Sequence, residues 1–240
     1  MAMNAESWPT TNPHPTTHPH LTTNPHPDPD QNPLSVADFA EDFGARWSEL
    51  TARWAARPGT SVATLGPAGT SSHLAAESLA LEHELRIELF PSFEDVLSHV
   101  STRKVALALV PSAYRGVTRF HWHRDLRLAA FFPLATPEYG LAVRPDGAPA
   151  GTGPVSVAAM WEVRWMYDQV MPPSLAEREV RWIEAESTQH AAAITARGGA
   201  DLALTNAPGR RAHGLRWLLT RPGAEIIWAL FTHADDHTGR

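Results

Sequence analysis

From residue 61 onward the chain alternates short apolar runs of β type with helical patterns. This rhythm restricts the fold more than any other feature. Residues 62–65, 86–89 and 105–110 read as strands, with helices between them near 70–81 and 92–101. A βαβαβ succession predicts a mostly parallel sheet with helices on its faces. A second set follows at 128–132, 139–143, 156–159, 180–183 and 201–204, with helices near 161–170 and 188–197. The last run, 226–231, has no helix after it. Two such units joined near 111–127 predict a two-lobed α/β fold with a cleft. Ligands of open α/β sheets sit beyond the carboxyl ends of the strands, which places loops 66–72 and 111–120 at the site.

Composition narrows the partners. The net charge of −6 speaks against nucleic acid. The absence of cysteine excludes disulfides, a thiol nucleophile and thiolate metal sites. No apolar run is long enough to cross a bilayer, and no secretory leader pattern is visible, so a cytoplasmic location is expected with no membrane partner. Residues 1–34 repeat Thr-Thr, Asn-Pro and His-Pro and hold too little apolar surface to offset their ordering entropy. They are expected to be a disordered tail. Its histidines His14, His18, His20 and His26 can hold a metal only loosely.

Residues 35–57 read as a helix. Ser35 and Asp38 form a capping-box-like start, and Pro58-Gly59 ends it. Val36, Phe39, Phe43, Trp47, Leu50 and Trp54 recur at spacings of three and four and give one apolar stripe. The stripe either docks on the main domain or forms a homodimer contact.

The stretch LGPAGTSSHLAAE, residues 65–77, is a strand end, a tight turn and a helix start. It lacks the lysine of a phosphate-binding loop and the glycine spacing of a dinucleotide fingerprint. It does offer free N–H groups and a partial positive charge at a helix N-terminus, with hydroxyls on Thr70, Ser71 and Ser72. Those hydroxyls can bind an anion, cap the helix, or both. The later loop VPSAYRGVTRFHWHRDLR carries Tyr114, Arg115, Arg119, Arg124 and Arg127, and arginine suits planar carboxylates. His121 and His123 share a face if extended, but no third ligand stands nearby, so no metal site is expected. The residues alone describe a two-lobed α/β protein that binds a small anion.

Several strings go further. TLGPAGTSSHLAA, VALALVPSAYRGV, ESTQHAAA and ADLALTNAPGRRAHGL fall in the order of the motifs of prephenate dehydratases, and the chain resembles that family over roughly residues 61–231. Three features depart from the dehydratase pattern. The loop Ser112-Ala113-Tyr114 lacks Glu-Asn-Ser. Ala229-Leu230 stands where the signature Asn-x-Thr-Arg-Phe has its catalytic threonine and its arginine. Only nine residues follow Phe231, so no regulatory amino-acid-binding domain is expected. With the strings YGLAVRPD, ALTN and LFTH, these departures resemble the prephenate decarboxylase branch of the bacilysin-biosynthesis type.

The resemblance implies a type-2 periplasmic-binding-protein-like fold, as in the dehydratase catalytic domain, with the active site in the inter-lobe cleft. It also implies non-aromatising decarboxylation of prephenate to dihydro-4-hydroxyphenylpyruvate, with no cofactor. Thr70, Ser71 and Ser72 are expected to hold one carboxylate, and Ser187 and Thr188 the pyruvyl end. Ser112 and Asn206 are expected as further substrate contacts, and Ala229 and Leu230 as pocket lining. Tyr114 is the candidate for orienting the ring or delivering the proton, with Arg119, His121 and His190 behind it. A true dehydratase giving phenylpyruvate and a non-catalytic anion binder remain the alternatives.

Overall fold

The computed structural model describes residues 36–147 and 151–236; the expected tail 1–34 and the cap Ser35 lie outside them. By compactness the chain divides into Met1–Phe39 and Ala40–Arg240, and the second unit holds both sheets. Its strands are β1 (Ser61–Leu65), β2 (Arg86–Phe90), β3 (Leu107–Pro111), β4 (Leu126–Ala135), β5 (Tyr139–Val143), β6 (Val155–Ala159), β7 (Val180–Glu184), β8 (Leu202–Asn206), β9 (Arg216–Arg221) and β10 (Glu225–His233). The helices are α1 (Val36–Ala55), α2 (Ser71–His83), α3 (Phe93–Ser101), α4 (Val117–His121), α5 (Tyr167–Val170), α6 (Thr188–Ala196) and α7 (Ala207–Ala212).

The strands form two five-stranded sheets, β2-β1-β3-β10-β4 and β7-β6-β8-β5-β9. In the first, β1 pairs parallel with β2 and β3, while β10 runs antiparallel between β3 and β4. In the second, β6 pairs parallel with β7 and β8, while β5 runs antiparallel between β8 and β9. The inner strands of both sheets are buried along nearly their whole length, as expected for strands covered on both faces. The two-lobed α/β reading therefore holds.

Its internal boundaries differ from the expectation. The runs 128–132 and 226–231, counted with the second set, belong to the first sheet as β4 and β10. Hydrophobic pattern marks a buried strand but does not name its neighbour. The chain consequently crosses between sheets at 136–138 and returns at 222–224, not near 111–127. The two crossings are tied together: Thr136 N donates to Ala224 O at 2.9 Å, and Ala224 N donates to Thr136 Oγ1 at 3.1 Å. A side chain at Gly223 would collide with the Thr136 and Pro137 carbonyls, so this strap needs glycine.

Part of the N-terminal stripe docks within the chain. Leu50 and Trp54 are buried with Val62, Leu79 and Trp228, and Trp47 packs against the same cluster. Phe43 packs against Phe131 with ring centres 4.6 Å apart and planes tilted by 40°. Burying one such side chain contributes roughly 1.5–3 kcal/mol, which is why the helix holds its place despite Gly44.

Candidate active site

Two helices begin at the same cavity, one from each lobe. At α2, Thr70 is the N-cap: His73 N donates to its Oγ1 at 3.1 Å, and Oγ1 in turn donates to Leu65 O at 2.8 Å. At α6, Ser187 is the N-cap and accepts from His190 N at 3.1 Å. Each cap leaves the next residues facing inward. The hydroxyls of Ser72 on α2 and Thr188 on α6 have no hydrogen-bond partner among the described residues, and both line the cavity. The cap residues thus satisfy their own helices while the free N–H groups and hydroxyls beside them can meet an anion.

The cavity holds about 150 Å³. Beyond the two helix ends its wall is largely apolar, formed by Leu65, Phe93, Met160, Met166, Ile226 and Trp228 among others. Polar groups are few. Tyr139 OH and Ser71 Oγ share a hydrogen bond of 2.6 Å across the lobes. Burial pushes the Tyr139 hydroxyl up from its ordinary pKa, against the opposing effect of the Ser71 bond. Among the described residues lining it, Arg221 and Glu162 bring the only charges.

Tyr114 separates this cavity from an outer recess lined by Glu94, Arg119, Glu184 and Glu186. Its ring packs on Phe93 at 4.4 Å, and its hydroxyl donates to Glu94 Oε1 at 3.1 Å. Burial first, then the charge and hydrogen bond of Glu94, push its pKa up to about 12, while Arg119 opposes. Tyr114 therefore keeps its proton through neutral pH.

Six of the residues singled out by sequence meet at this cavity: Thr70, Ser71, Ser72, Tyr114, Ser187 and Thr188. The others do not line it. Arg119 is exposed and pairs with Glu94 at 2.6 Å. His121 is exposed on α4, its ring edge-on to Phe231 at 4.9 Å. Ser112 is exposed and uses its N–H on Ile227 O. The His190 Nδ1 accepts from Glu186 N at 3.2 Å. Asn206 is fully buried and committed at both ends: its Oδ1 caps α7 through Gly209 N at 2.9 Å, and its Nδ2 donates to Gly69 O at 2.9 Å. It is a clasp on the anion-binding turn. Ala229 and Leu230 sit in the middle of β10, in the cores on opposite faces of the first sheet. The start of that strand, Ile226 and Trp228, faces the cavity instead.

Sequence reading missed Tyr139, Glu162, Trp165 and Arg221 as site residues. For Arg221 a signal existed: RWLLTR lies between Gly214 and Pro222-Gly223, a short run bounded by breakers. The other three carry no local signature. Among the described residues no three of His, Asp or Glu cluster as a metal site would need, and no helix is long and apolar enough to cross a membrane.

Comparison with known proteins gives the family. The prephenate dehydratase family model matches residues 62–114, the segment from β1 to Tyr114. The prephenate decarboxylase of Bacillus subtilis (strain 168) is 32% identical over 184 residues, covering 72% of this chain and 87% of that protein. The chain belongs to the prephenate decarboxylase family. Among solved structures, the prephenate dehydratase of Arthrobacter aurescens in complex with L-Phe is similar with a TM-score of 0.54 at 17% identity. The match covers 75% of this chain and 62% of that one. A periplasmic substrate-binding protein from Coxiella burnetii is similar with a TM-score of 0.50 at 14% identity, over 74% of this chain and 85% of that one. These two likenesses are of fold alone, and they agree with the two α/β lobes described above.

Proposed function

We propose that the protein removes carbon dioxide from prephenate without aromatising the ring. The product is dihydro-4-hydroxyphenylpyruvate, on the way to a reduced-ring amino acid or antibiotic. The bond from the ring to its carboxylate breaks, and its electron pair enters the diene. A diene carbon takes up one proton, and the ring hydroxyl stays in place. The electrons need no acceptor beyond the substrate.

The observation that carries this reading is the convergence of two helix N-termini, with free hydroxyls on Ser72 and Thr188, on a cavity that is otherwise mostly apolar. Such a site suits a dianion built on a hydrocarbon ring. Apolar walls also disfavour a localised carboxylate relative to neutral carbon dioxide and a delocalised anion.

The wall near the start of β10 offers no free proton donor. A dehydratase must protonate the departing hydroxide. Ile226 and Pro222 carry no acid, Trp228 Nε1 is spent on Leu134 O at 3.2 Å, and the Thr136 hydroxyl is spent on Pro137 O and Ala224 N. Tyr114, protonated and at the cavity edge, is the proton source in this reading, once its hydroxyl turns from Glu94 Oε1 toward the ring.

Proton NMR of prephenate incubated with the protein at neutral pH tests the proposal. Vinyl signals retained with carbon dioxide released support it. Aromatic phenylpyruvate signals would show a dehydratase, and unchanged prephenate with broadened lines a binder; either overturns it.

A further inference from the structure

Three residues stand side by side across the second sheet. Tyr139 on β5 is in register with Asn206 on β8 and with Arg221 on β9. Residues paired this way point to the same face of a sheet, with Cβ atoms about 4.5–5.5 Å apart. The first two reach across to the turn that opens α2: Asn206 to Gly69 O, and Tyr139 to Ser71 Oγ. Arg221, the third, lines the same cavity, and among the described residues its guanidinium has no hydrogen bond and no carboxylate partner. Its guanidinium carbon lies 5.5 Å from the ring centre of Trp165. The other arginines near the cavity are spent: Arg115 on Glu162, Arg119 on Glu94 and Arg164 on Glu184.

We infer that Arg221 is the anchor for the pyruvyl carboxylate of the substrate, held in a two-point guanidinium–carboxylate pair beside the helix ends. A half-buried arginine beside an aromatic ring, with an empty fork, suits a planar anion. The chemistry decides which of the two carboxylates it takes. An ion pair to the ring carboxylate would be lost as carbon dioxide leaves, so it would stabilise the ground state and slow the reaction. A pair to the pyruvyl carboxylate survives unchanged through the step and contributes to binding and orientation alone. Arg221 is thus a substrate-binding residue that takes no part in the bond-breaking step.

This inference rests on the reading of prephenate as the ligand. Its test uses two probes that separate it from that reading. Phenylpyruvate carries only the pyruvyl carboxylate, and cyclohexa-2,5-diene-1-carboxylate only the ring carboxylate. Binding of each to the full chain is measured by titration calorimetry, which does not require turnover. Arg221→Met is expected to weaken phenylpyruvate roughly 10- to 100-fold, the scale of a charged hydrogen-bonded pair, and to leave the ring-carboxylate probe within about 3-fold. Arg221→Lys, which keeps the charge but not the fork, is expected to fall between and stands in if the Met variant does not fold. Undiminished phenylpyruvate binding in the variant, loss confined to the ring-carboxylate probe, or no phenylpyruvate binding by the unaltered protein overturns the inference. If these affinities behave as expected but prephenate becomes aromatic, the decarboxylase reading fails and the anchor stands.

Discussion

Replacing Asn206 by alanine separates a clasp from a substrate contact. The side chain is fully buried, accepts from Gly209 N at the start of α7 and donates to Gly69 O in the turn before α2. Losing the cap costs about 1 kcal/mol. Losing the donor to Gly69 strands a carbonyl away from water and costs about 1–3 kcal/mol more. The sum, about 2–4 kcal/mol, lowers the melting temperature by roughly 4–16 °C for a unit of this size. Urea denaturation followed by circular dichroism gives the free energy, and prephenate titration gives the affinity. Asn206→Asp sharpens the test, because it keeps the cap acceptor but at neutral pH has no donor for Gly69. It is expected to be destabilised although the cap survives. If Asn206→Ala unfolds within about 0.5 kcal/mol of the unaltered protein while prephenate affinity collapses, the clasp reasoning is wrong and Asn206 is a ligand contact.

Three further outcomes are expected. Asp201 loses solvent, which raises its pKa, but bonds from Ser156 N and Oγ together with Arg144 and Arg178 outweigh this and hold it below its ordinary 3.8. The unfolded chain therefore takes up the proton first, so the stability Asp201 contributes is complete above about pH 4 and is lost as pH falls through the folded value; urea midpoints against pH should show this acid limb shrink in Asp201→Asn. His121→Ala should turn over prephenate within about 2-fold of the unaltered rate, since surface changes away from a site have small effects; a 100-fold loss by the same NMR assay would return His121 to the site. Gly69 has φ +87, and a Cβ there would collide with the Gln189 amide. Gly69→Ala should therefore cost about 1–3 kcal/mol by urea denaturation and weaken prephenate binding as the turn shifts.

Residues adjacent in sequence were read well. The strand, turn and helix from Ser61 to His83 show in the pattern because the apolar run, the glycines and the hydroxyl cap act within a few residues of one another. The same holds for Ser187 and Thr188 at α6. Pairing was not legible. The runs at β4 and β10 were seen as strands but placed in the wrong lobe. Ala229 and Leu230, pocket lining by motif position, lie one and two residues past Trp228, the last cavity residue of β10: alternation turns Ala229 to the other face, and Leu230 is back on the Trp228 face but beyond the cavity. Tyr114 kept its place at the cavity, but its bond to Glu94, twenty positions earlier, needed the fold to be seen.

By itself the sequence determined the local pieces: α/β alternation, capped helix starts with hydroxyls to spare, and the motif strings of a decarboxylase family. Only the tertiary structure decided which pieces meet. Asn206, Tyr139 and Arg221 are scattered along the chain yet form one row, because β5 lies between β8 and β9 in the second sheet. Such a row is set by hydrogen-bonded register between strands distant in sequence, and register leaves no mark on the strands taken singly. That is why the arginines of the loop after β3 are visible in the sequence, while Arg221, with no carboxylate partner among the described residues, stands at the end of a strand whose pairing the pattern does not show.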